Sequence, residues 1–379
     1  MKVAIVHDWI TGMRGGERVL EALCELYPEA DIYTLVHVKG SVSETIEKHK
    51  IFTSFLQKFP QVEKKYRYYL PLMPLAIQSF KLKDYDLVIS SSHCVAKGII
   101  PNKEALHICY CYTPMRYIWD LYEDYFGKGR SSLPVKIAMR IIRPFLKRWD
   151  MKTSKRVDYF VAISTFIADR IKRTYGRESV VIYPPVETVK LEDGNLKLEK
   201  TGNLKQKEEK EEKKEFYLIV SAFAPYKRID IAIGAFNTLG YKLKIVGTGQ
   251  EEKKLKSIAK DNIEFLGWCS DAEIKEYYHQ CKVLVFPGEE DFGIVPVEAM
   301  ASGKPVIAYG KGGAKETVVD GKTGILFSPQ SEEELIKAIK TCENIAWNPK
   351  EIAASVERFS VSRFKEEIAT YVRKIMQEK

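Results

Sequence analysis

The sequence lacks the features that mark disulfide-stapled, zinc-binding and membrane-spanning proteins. Its seven cysteines are scattered through 379 residues without any C-x-x-C pair, so neither a disulfide framework nor a zinc site is expected. No apolar run approaches the ~20 residues that a membrane-spanning helix needs. The N-terminus turns polar at His7 and Asp8, too soon for a signal peptide. We therefore expect a cytoplasmic chain whose membrane contact, if any, is peripheral.

The sequence also has only a small net charge. Lys and Arg total 60 against 51 for Asp and Glu, a net charge of +9. This mild excess permits anionic partners such as nucleotides, phosphates or a membrane surface, and does not choose among them.

Short apolar runs alternate with longer amphipathic stretches in both halves of the chain. This alternation predicts α/β domains, each a parallel sheet with helices on both faces. The predicted strands are Val3–Val6, Asp31–Val36, Asp86–Ser90, Leu106–Tyr112, Tyr159–Ile163 and Val180–Tyr183, then Tyr217–Ser221, Tyr241–Val246, Ile263–Gly267, Val283–Phe286, Val306–Tyr309 and Ile325–Phe327.

A charged break separates the two halves. Lys and Glu dominate residues 187–215, and Lys205–Glu215 has almost no apolar residue to place in a core. We therefore expect a linker insertion at 187–215 between two doubly wound, Rossmann-like domains at 1–186 and 216–359 that face each other across a cleft. The last helical stretch, about 360–379, is a candidate to pack back on the first domain.

The densest functional signal is the string FPGEEDFGIVPVEAMASGKPVIAY at 286–309. A strand is predicted to end at Phe286, and a helix follows after a short loop. The helix start would offer a diphosphate the backbone N–H groups of Gly293, Ile294 and Val295. Glu290 and Glu298 would repel a phosphate, so they suit hydroxyl groups on either side of it, such as those of a sugar and a ribose.

The spacing Glu290-x7-Glu298 within this string resembles the donor motif of the retaining glycosyltransferases of the GT-B fold, the large family-four group. Similarity of the same kind runs over nearly the whole chain outside 187–215. The resemblance implies that the first domain binds the acceptor and the second the nucleotide sugar. It also implies that Glu290 contacts the transferred sugar, that Glu298 contacts the ribose, and that the backbone around Phe292 lies along the sugar and diphosphate.

Two adjacent cations, Lys227 and Arg228, stand between a predicted strand and a predicted helix. Cations are unfavourable at a helix N-terminus, so this pair indicates an anionic partner such as the diphosphate. The family usually has an Arg five residues before its Lys, and here that position is Ala222. Either Arg228 substitutes or Lys227 acts alone, and we assign Lys227, Arg228 and Glu290 as the catalytic group.

Two glycine turns complete the predicted donor site. Gly15 and Gly16 open the first helix and match the family's loop over the donor phosphates. The turn at Gly247 and Gly249, together with Leu266, resembles the family's nucleobase pocket, where backbone groups read the base edge.

The acceptor or sugar side is predicted in the first domain. The string YCYTPMRYIWD at 110–120 resembles a segment of bacterial polysaccharide mannosyltransferases, which commonly have His where this chain has Tyr112. The Arg of this segment suits a phosphate-bearing acceptor or the donor, and an ion pair with Asp120 is its structural alternative. The candidates on this side are Asp8, Trp9, His93, Tyr112 and Arg116.

We therefore expect a retaining glycosyltransferase, with mannose from GDP-mannose as the first hypothesis and a hydroxyl of a lipid-linked or polysaccharide acceptor as the target. Asp84-x-Asp86 sits at a strand start, away from the predicted site, and Lys227 and Arg228 already offset the diphosphate. No metal, no cofactor and no nucleic-acid partner are expected. Two alternatives stay open: another GT-B enzyme such as a sugar-nucleotide epimerase, or a non-catalytic sugar-nucleotide-binding protein.

A basic amphipathic stretch at 135–149 predicts contact with an anionic membrane surface. Its predicted cationic stripe is Lys136, Arg140, Arg143 and Lys147, and its apolar stripe is Val135, Ala138, Met139, Ile142, Phe145, Leu146 and Trp149. The alternative is a surface helix whose apolar face lies in the core.

Overall fold

The structure is a computed structural model that describes residues 1–127, 131–188 and 216–378. Of the predicted linker, all but the first two residues lie outside the described residues. The chain divides into two units, one made of Met1–Val186 and Val361–Lys379 and the other of Glu187–Ser360.

The first unit is built on a fully parallel sheet of seven strands: β1 Val3–His7, β2 Asp31–Thr34, β3 Ile51–Thr53, β4 Leu87–Ser92, β5 Leu106–Cys111, β6 Tyr159–Ala162 and β7 Ser179–Val181. The strand order is β3-β2-β1-β4-β5-β6-β7, so the winding reverses between β1 and β4. Its helices are α1 Gly15–Leu26, α2 Glu44–Glu47, α3 Val62–Lys65, α4 Met73–Gln78, α5 Tyr122–Phe126, α6 Leu133–Ser154 and α7 Thr165–Tyr175.

The second unit repeats the plan with six parallel strands: β8 Tyr217–Val220, β9 Leu243–Val246, β10 Ile263–Gly267, β11 Val283–Phe286, β12 Val306–Tyr309 and β13 Gly324–Phe327. The order is β10-β9-β8-β11-β12-β13, and the winding reverses between β8 and β11. Its helices are α8 Ile229–Leu239, α9 Glu252–Ile258, α10 Asp271–Gln280, α11 Ile294–Ala301, α12 Ala314–Thr317, α13 Glu332–Glu343 and α14 Pro349–Ser355.

The last helix, α15 Val361–Glu378, packs on the first unit. Its buried side chains recur three to four residues apart, as an amphipathic helix requires: Phe364, Ile368, Val372 and Ile375. The Phe364 ring meets Tyr110 of β5 edge-on with centroids 5.6 Å apart, and Lys365 forms an ion pair with Glu25 of α1.

The predicted doubly wound α/β architecture is confirmed in both units. Most predicted strands agree with the observed ones to within two residues, because continuous Val, Ile and Leu runs are buried on both faces of a parallel sheet. The edge strand β3 was not predicted, and no helix was predicted at the position of α13. Among the described residues, no helix is both long enough and apolar enough to cross a bilayer.

Candidate functional site

In each unit, some of the predicted site residues lie where the winding of the sheet reverses. Lys227 follows β8 and Glu290 follows β11, the two strands at the reversal in the second unit. Asp8 follows β1 and His93 follows β4, the equivalent pair in the first. The chain leaves such neighbouring strands in opposite directions, so a crevice opens at their carboxyl ends, where α/β proteins bind ligands.

Lys227 and Glu290 form an ion pair in the crevice of the second unit. Their side chains are 17% and 16% exposed, so the pair is shielded but reachable. Lys227 ends the 3-10 turn Pro225–Lys227, and a Cβ added to Gly288 would lie 2.9 Å from the Lys227 backbone. The two loops therefore touch backbone to backbone, which fixes the lysine against the carboxylate.

A second glycine loop, at 310–313, holds Glu290 from the other side. The N–H of Gly313 donates to the Glu290 carbonyl at 2.8 Å, and a Cβ on Gly313 would lie 2.3 Å from the Phe292 Cα. Beside them, Lys311 Nζ pairs with Glu289 Oε2 at 3.0 Å. This loop was missed at the sequence level, although the string GKGG after a predicted strand was a signal that could have found it.

Glu298 lies on α11 and is oriented by a buried tyrosine. Tyr278 of α10 is 2% exposed, and its hydroxyl donates to Glu298 Oε2 at 2.9 Å. Burial and the negative charge of Glu298 hold the pKa of Tyr278 well above its usual range, so the phenol stays a hydrogen-bond donor. No sequence pattern identified Tyr278, because its partner comes from another element.

The start of α11 is partly exposed: Gly293 is buried, while Ile294 and Val295 are of intermediate exposure. Gly293 precedes the helix with φ +89°, a left-handed conformation that favours glycine. The Phe292 side chain turns inward, 3% exposed, with its ring 5.3 Å from that of Phe359. The Phe292 ring therefore does not face a ligand, and the diphosphate site at Gly293, Ile294 and Val295 stays a prediction.

Arg228 is placed differently from Lys227. Its Nε lies 3.2 Å from Asp230 Oδ1, and its Nη1 donates to Gln330 Oε1 at 3.3 Å. Arg228 also has a left-handed backbone, φ +51°, which is uncommon outside glycine. The cation that meets Glu290 is Lys227, while the Arg228 side chain is directed to Asp230 and Gln330.

The predicted nucleobase turn packs tightly at the ends of β8, β9 and β10. A Cβ on Gly247, where φ is +134°, would lie 1.8 Å from the Ser221 carbonyl oxygen, so only glycine fits. The Gly247 N–H donates to the carbonyl of Gly267, next to Leu266, at 2.7 Å. Gly249 approaches the Phe223 backbone in the same way. The structure therefore brings Gly247, Gly249 and Leu266 together.

Asp8 lies in the interior of the first unit with a fully satisfied carboxylate. It is 0% exposed and accepts four backbone N–H bonds at 2.7–2.9 Å, from His93, Cys94, Val95 and Ala96. Burial would raise its pKa, but the charge and hydrogen bonds of His93, with a smaller effect of His7, lower it to about 2. This placement favours a role in holding the β4 loop over direct contact with an acceptor.

His93 is the exposed partner of Asp8. Its Nδ1 lies 3.0 Å from Asp8 Oδ2, its side chain is 29% exposed, and its ring meets Trp9 edge-on at 4.5 Å. Because the ionised Asp8 accepts the Nδ1 proton, the lone pair of the neutral ring is on Nε2. Trp9 itself is 8% exposed, so of these neighbours His93 is the one that reaches the surface.

Tyr112 joins the end of β5 to the first turn of α1. Its hydroxyl donates to the Gly16 carbonyl at 3.0 Å and lies 2.8 Å from Ser91 Oγ, which is 3.0 Å from His7 Nδ1. His7 in turn faces the buried Glu17, whose pKa is lowered because the hydrogen bond and charge of His7 outweigh the opposing effect of burial. This series of contacts fixes the first turn of α1, at Gly15 and Gly16. It was not predicted from the sequence.

Two other carboxylates of the first unit, Asp120 and Asp86, have partners of their own. Asp120, named above as the structural alternative for Arg116, forms an ion pair with Arg170 Nε at 2.7 Å. Asp86 accepts a hydrogen bond from the Lys2 N–H at 2.6 Å just before β4, so Asp84-x-Asp86 lies at the opposite end of that strand from His93.

Two family models match most of the chain. The model described as "Glycosyltransferase Family 4" matches residues 13–190, and that described as "Glycosyl transferases group 1" matches residues 200–355. The chain belongs to the family-four type of GT-B glycosyltransferases. The family predicted from the Glu290-x7-Glu298 motif is thereby confirmed.

Its relatives include mannosyltransferases at modest identity. An uncharacterised glycosyltransferase of Methanocaldococcus jannaschii is 30% identical over 227 residues, 58% of this chain and 60% of that relative. The alpha-1,3/1,6-mannosyltransferase ALG2 of Dictyostelium discoideum is 25% identical over 349 residues, 80% of this chain and 79% of that relative.

A solved structure shares the fold over the whole length. Anabaena HepE in complex with UDP-glucose superposes with a TM-score of 0.68 at 20% identity, covering 99% of this chain and 100% of that one. At this identity the likeness shows the GT-B fold alone.

Proposed function

We propose that this glycosyltransferase moves a sugar from a nucleotide-diphosphate sugar to a hydroxyl of a lipid-linked or polysaccharide acceptor, with retention of anomeric configuration. The observation that carries the proposal is the Lys227–Glu290 ion pair beside the start of α11, at the winding reversal of the second sheet. Mannose from GDP-mannose is our first candidate donor, supported by the mannosyltransferase relative.

The ion pair suits a charge exchange when the donor binds. Phosphate oxygens compete with Glu290 for Lys227, because both are anions that a lysine ammonium binds. The carboxylate of Glu290 then accepts hydrogen bonds from the sugar hydroxyls. Glu298 lies about one turn inside α11, where its Oε2 accepts a hydrogen bond from Tyr278 at 2.9 Å, and we propose that it binds the ribose hydroxyls.

The reaction that these groups support is a same-face displacement. The bond between the anomeric carbon and the phosphate oxygen breaks, and the bond to the acceptor oxygen forms on the same face. The acceptor proton passes to the departing phosphate oxygen, so no side-chain base is needed. Lys227 and the N–H groups at the α11 start stabilise the growing phosphate charge, and we propose that a metal ion is not required.

On the acceptor side, we propose His93 as the contact residue of the first domain. Asp8 fixes the ring through Nδ1, which leaves Nε2 to accept a hydrogen bond from an acceptor hydroxyl. A lipid-linked acceptor would also bring the enzyme to the inner face of the membrane as a peripheral protein.

Substitution of the two glutamates tests the donor site. We expect Glu290→Gln to lower kcat roughly 10²–10³-fold while leaving the affinity for the bare nucleoside diphosphate unchanged or tighter, because Lys227 loses a competitor. Glu298→Gln should weaken that affinity about tenfold, since it loses charge-assisted hydrogen bonds to the ribose. Calorimetry with the nucleoside diphosphate and initial rates with the donor measure both effects.

The matched control is Glu289→Gln, which removes the neighbouring carboxylate that pairs with Lys311. It should change neither quantity by more than about twofold. An equal loss of nucleoside diphosphate affinity in the Glu290 and Glu298 variants would refute the assignment of the two carboxylates to different parts of the donor.

A further inference from the structure

Helix α6 is anchored on the first unit by a buried polar cluster. Lys97 Nζ pairs with Asp150 Oδ1 at 2.7 Å, and the other carboxylate oxygen accepts hydrogen bonds from Trp119 Nε1 at 2.8 Å and Tyr175 Oη at 2.7 Å. Lys97 and Asp150 are at most 2% exposed. A charge pair buried this deeply tolerates little movement, so the rotation of α6 about its axis is fixed.

The outward side of α6 carries a row of large apolar side chains. They recur every four residues, which places them on one face: Leu133 is 69% exposed, Ile137 53%, Ile141 72% and Phe145 56%. The row is about 18 Å long at the helical rise. Soluble proteins rarely leave so much contiguous apolar surface in water, and where they do it marks an interaction site.

This face differs from the predicted one. Met139 and Leu146 are buried and Val135, Ile142 and Trp149 pack against the core, but Phe145 and Ala138 face outward. Of the predicted cationic stripe, Arg143 donates from Nε to the Ile118 carbonyl at 2.8 Å, and Lys147 lies 4.4 Å from the centre of the Trp119 ring. The stripe is therefore not a free cationic face, because half of it is held against neighbouring groups.

A cationic hollow continues the outward face at the C-terminal half of α6. It has a volume of about 490 Å³ and is lined by Trp119, Lys147, Arg148, Met151, Lys152 and Lys155. Four of these six side chains are cations and none is acidic. Burial and the nearby charge of Arg143 lower the pKa of Lys147, as expected where like charges crowd together. An anion in the hollow would relieve that repulsion.

We propose that the outward face of α6 docks on an anionic lipid bilayer, with the apolar row in the interfacial layer and lipid phosphates in the cationic hollow. An apolar row continued by cations on one rigid helix is the composition of interfacial helices. The proposal rests on the proposed function only for its biological role, because the enzyme would meet a lipid-linked acceptor at the bilayer surface. Binding of the bare protein to vesicles tests it separately.

The experiment compares two double variants by co-sedimentation with lipid vesicles. The vesicles are phosphatidylcholine with phosphatidylglycerol, mixed so that about one lipid in three carries a negative charge. Ile137→Ser with Ile141→Ser should reduce partitioning roughly 100-fold, because two large side chains no longer leave water. Lys152→Gln with Lys155→Gln should reduce it roughly 10- to 30-fold, and should also reduce the sensitivity of binding to salt.

Matched controls come from the same unit. Leu75→Ser removes an exposed leucine of α4, and Lys81→Gln with Lys83→Gln removes two exposed lysines outside α6. The controls should partition like the wild type, and all variants should keep the wild-type melting temperature and nucleoside diphosphate affinity. Failure of the wild type to bind anionic vesicles at low salt would overturn the proposal. The proposal would also be overturned if sedimentation velocity showed a wild-type dimer that dissociates in the isoleucine variant, while vesicle binding of that variant is unchanged.

Discussion

Asp8 is an interior carboxylate that ties the ends of β1 and β4 together. Its position after a strand was visible in the sequence, and so was its nearness to the edge where ligands bind. What the sequence did not contain was the path of residues 93–96, which fold over the carboxylate and use both of its oxygens. A side chain's role at a strand end depends on such loop paths, which no local pattern encodes.

The charge of Asp8 should stabilise the protein at neutral pH. Its folded pKa of about 2 lies below the ordinary value of 3.8, so the contribution is complete above about pH 5 and is lost as the pH falls toward 2. The shift corresponds to about 2 kcal/mol. We expect Asp8→Asn to lower the free energy of unfolding by about 2–4 kcal/mol at pH 7, because an amide N–H then faces backbone N–H donors.

Urea unfolding followed by circular dichroism at pH 7, 5, 4 and 3 measures this difference. It should shrink from pH 4 downward, and the exposed Asp84→Asn should show neither effect. A gap between wild type and Asp8→Asn that stays constant down to pH 3 would contradict the ionised, hydrogen-bonded state of Asp8.

At the scale of elements, predictability followed the length and apolarity of each segment. The central strands were found because their side chains are buried on both faces. The edge strand β3 has three residues, none of them fully buried, and so has almost no pattern. Helix α13 begins with three glutamates, so its start shows no apolar periodicity, although Leu335 and Ile339 are fully buried. The glycine loop at 310–313 was missed because its importance lies in contacts with Glu290.

That loop gives a prediction at the same scale. Gly313→Ala should displace the loop around Glu290, because the new Cβ would lie 2.3 Å from the Phe292 backbone. We expect at least about a tenfold loss of kcat, since turnover depends on the placement of Glu290. Gly310→Ala is the matched control, because its Cβ would meet nothing closer than 3.4 Å and should leave kcat near the wild-type value. Steady-state rates with the donor measure kcat for both variants. Equal kcat values would contradict the positioning role of the loop.

At the scale of the whole molecule, the repeated βαβ rhythm and the Glu290-x7-Glu298 motif were enough to predict the fold and the family. The contacts inside the site were not predictable in the same way. The ion pair of Lys227 with Glu290 joins loops 63 residues apart, and the bond from Tyr278 to Glu298 joins two helices. Sequence reasoning predicted that Lys227, Glu290, Asp8 and His93 follow strands, as the structure has them, but it could not say which candidates touch.

The stereochemistry of the first product tests the central claim most directly. The donor is chosen from a panel of nucleotide sugars by the largest rise in melting temperature, since a ligand that binds only the folded state stabilises it. Proton NMR then follows the anomeric signal of the newly formed product in the presence of a metal chelator. The account predicts the same anomeric configuration as the donor and an undiminished rate. A product of inverted configuration would contradict same-face transfer by Lys227 and Glu290.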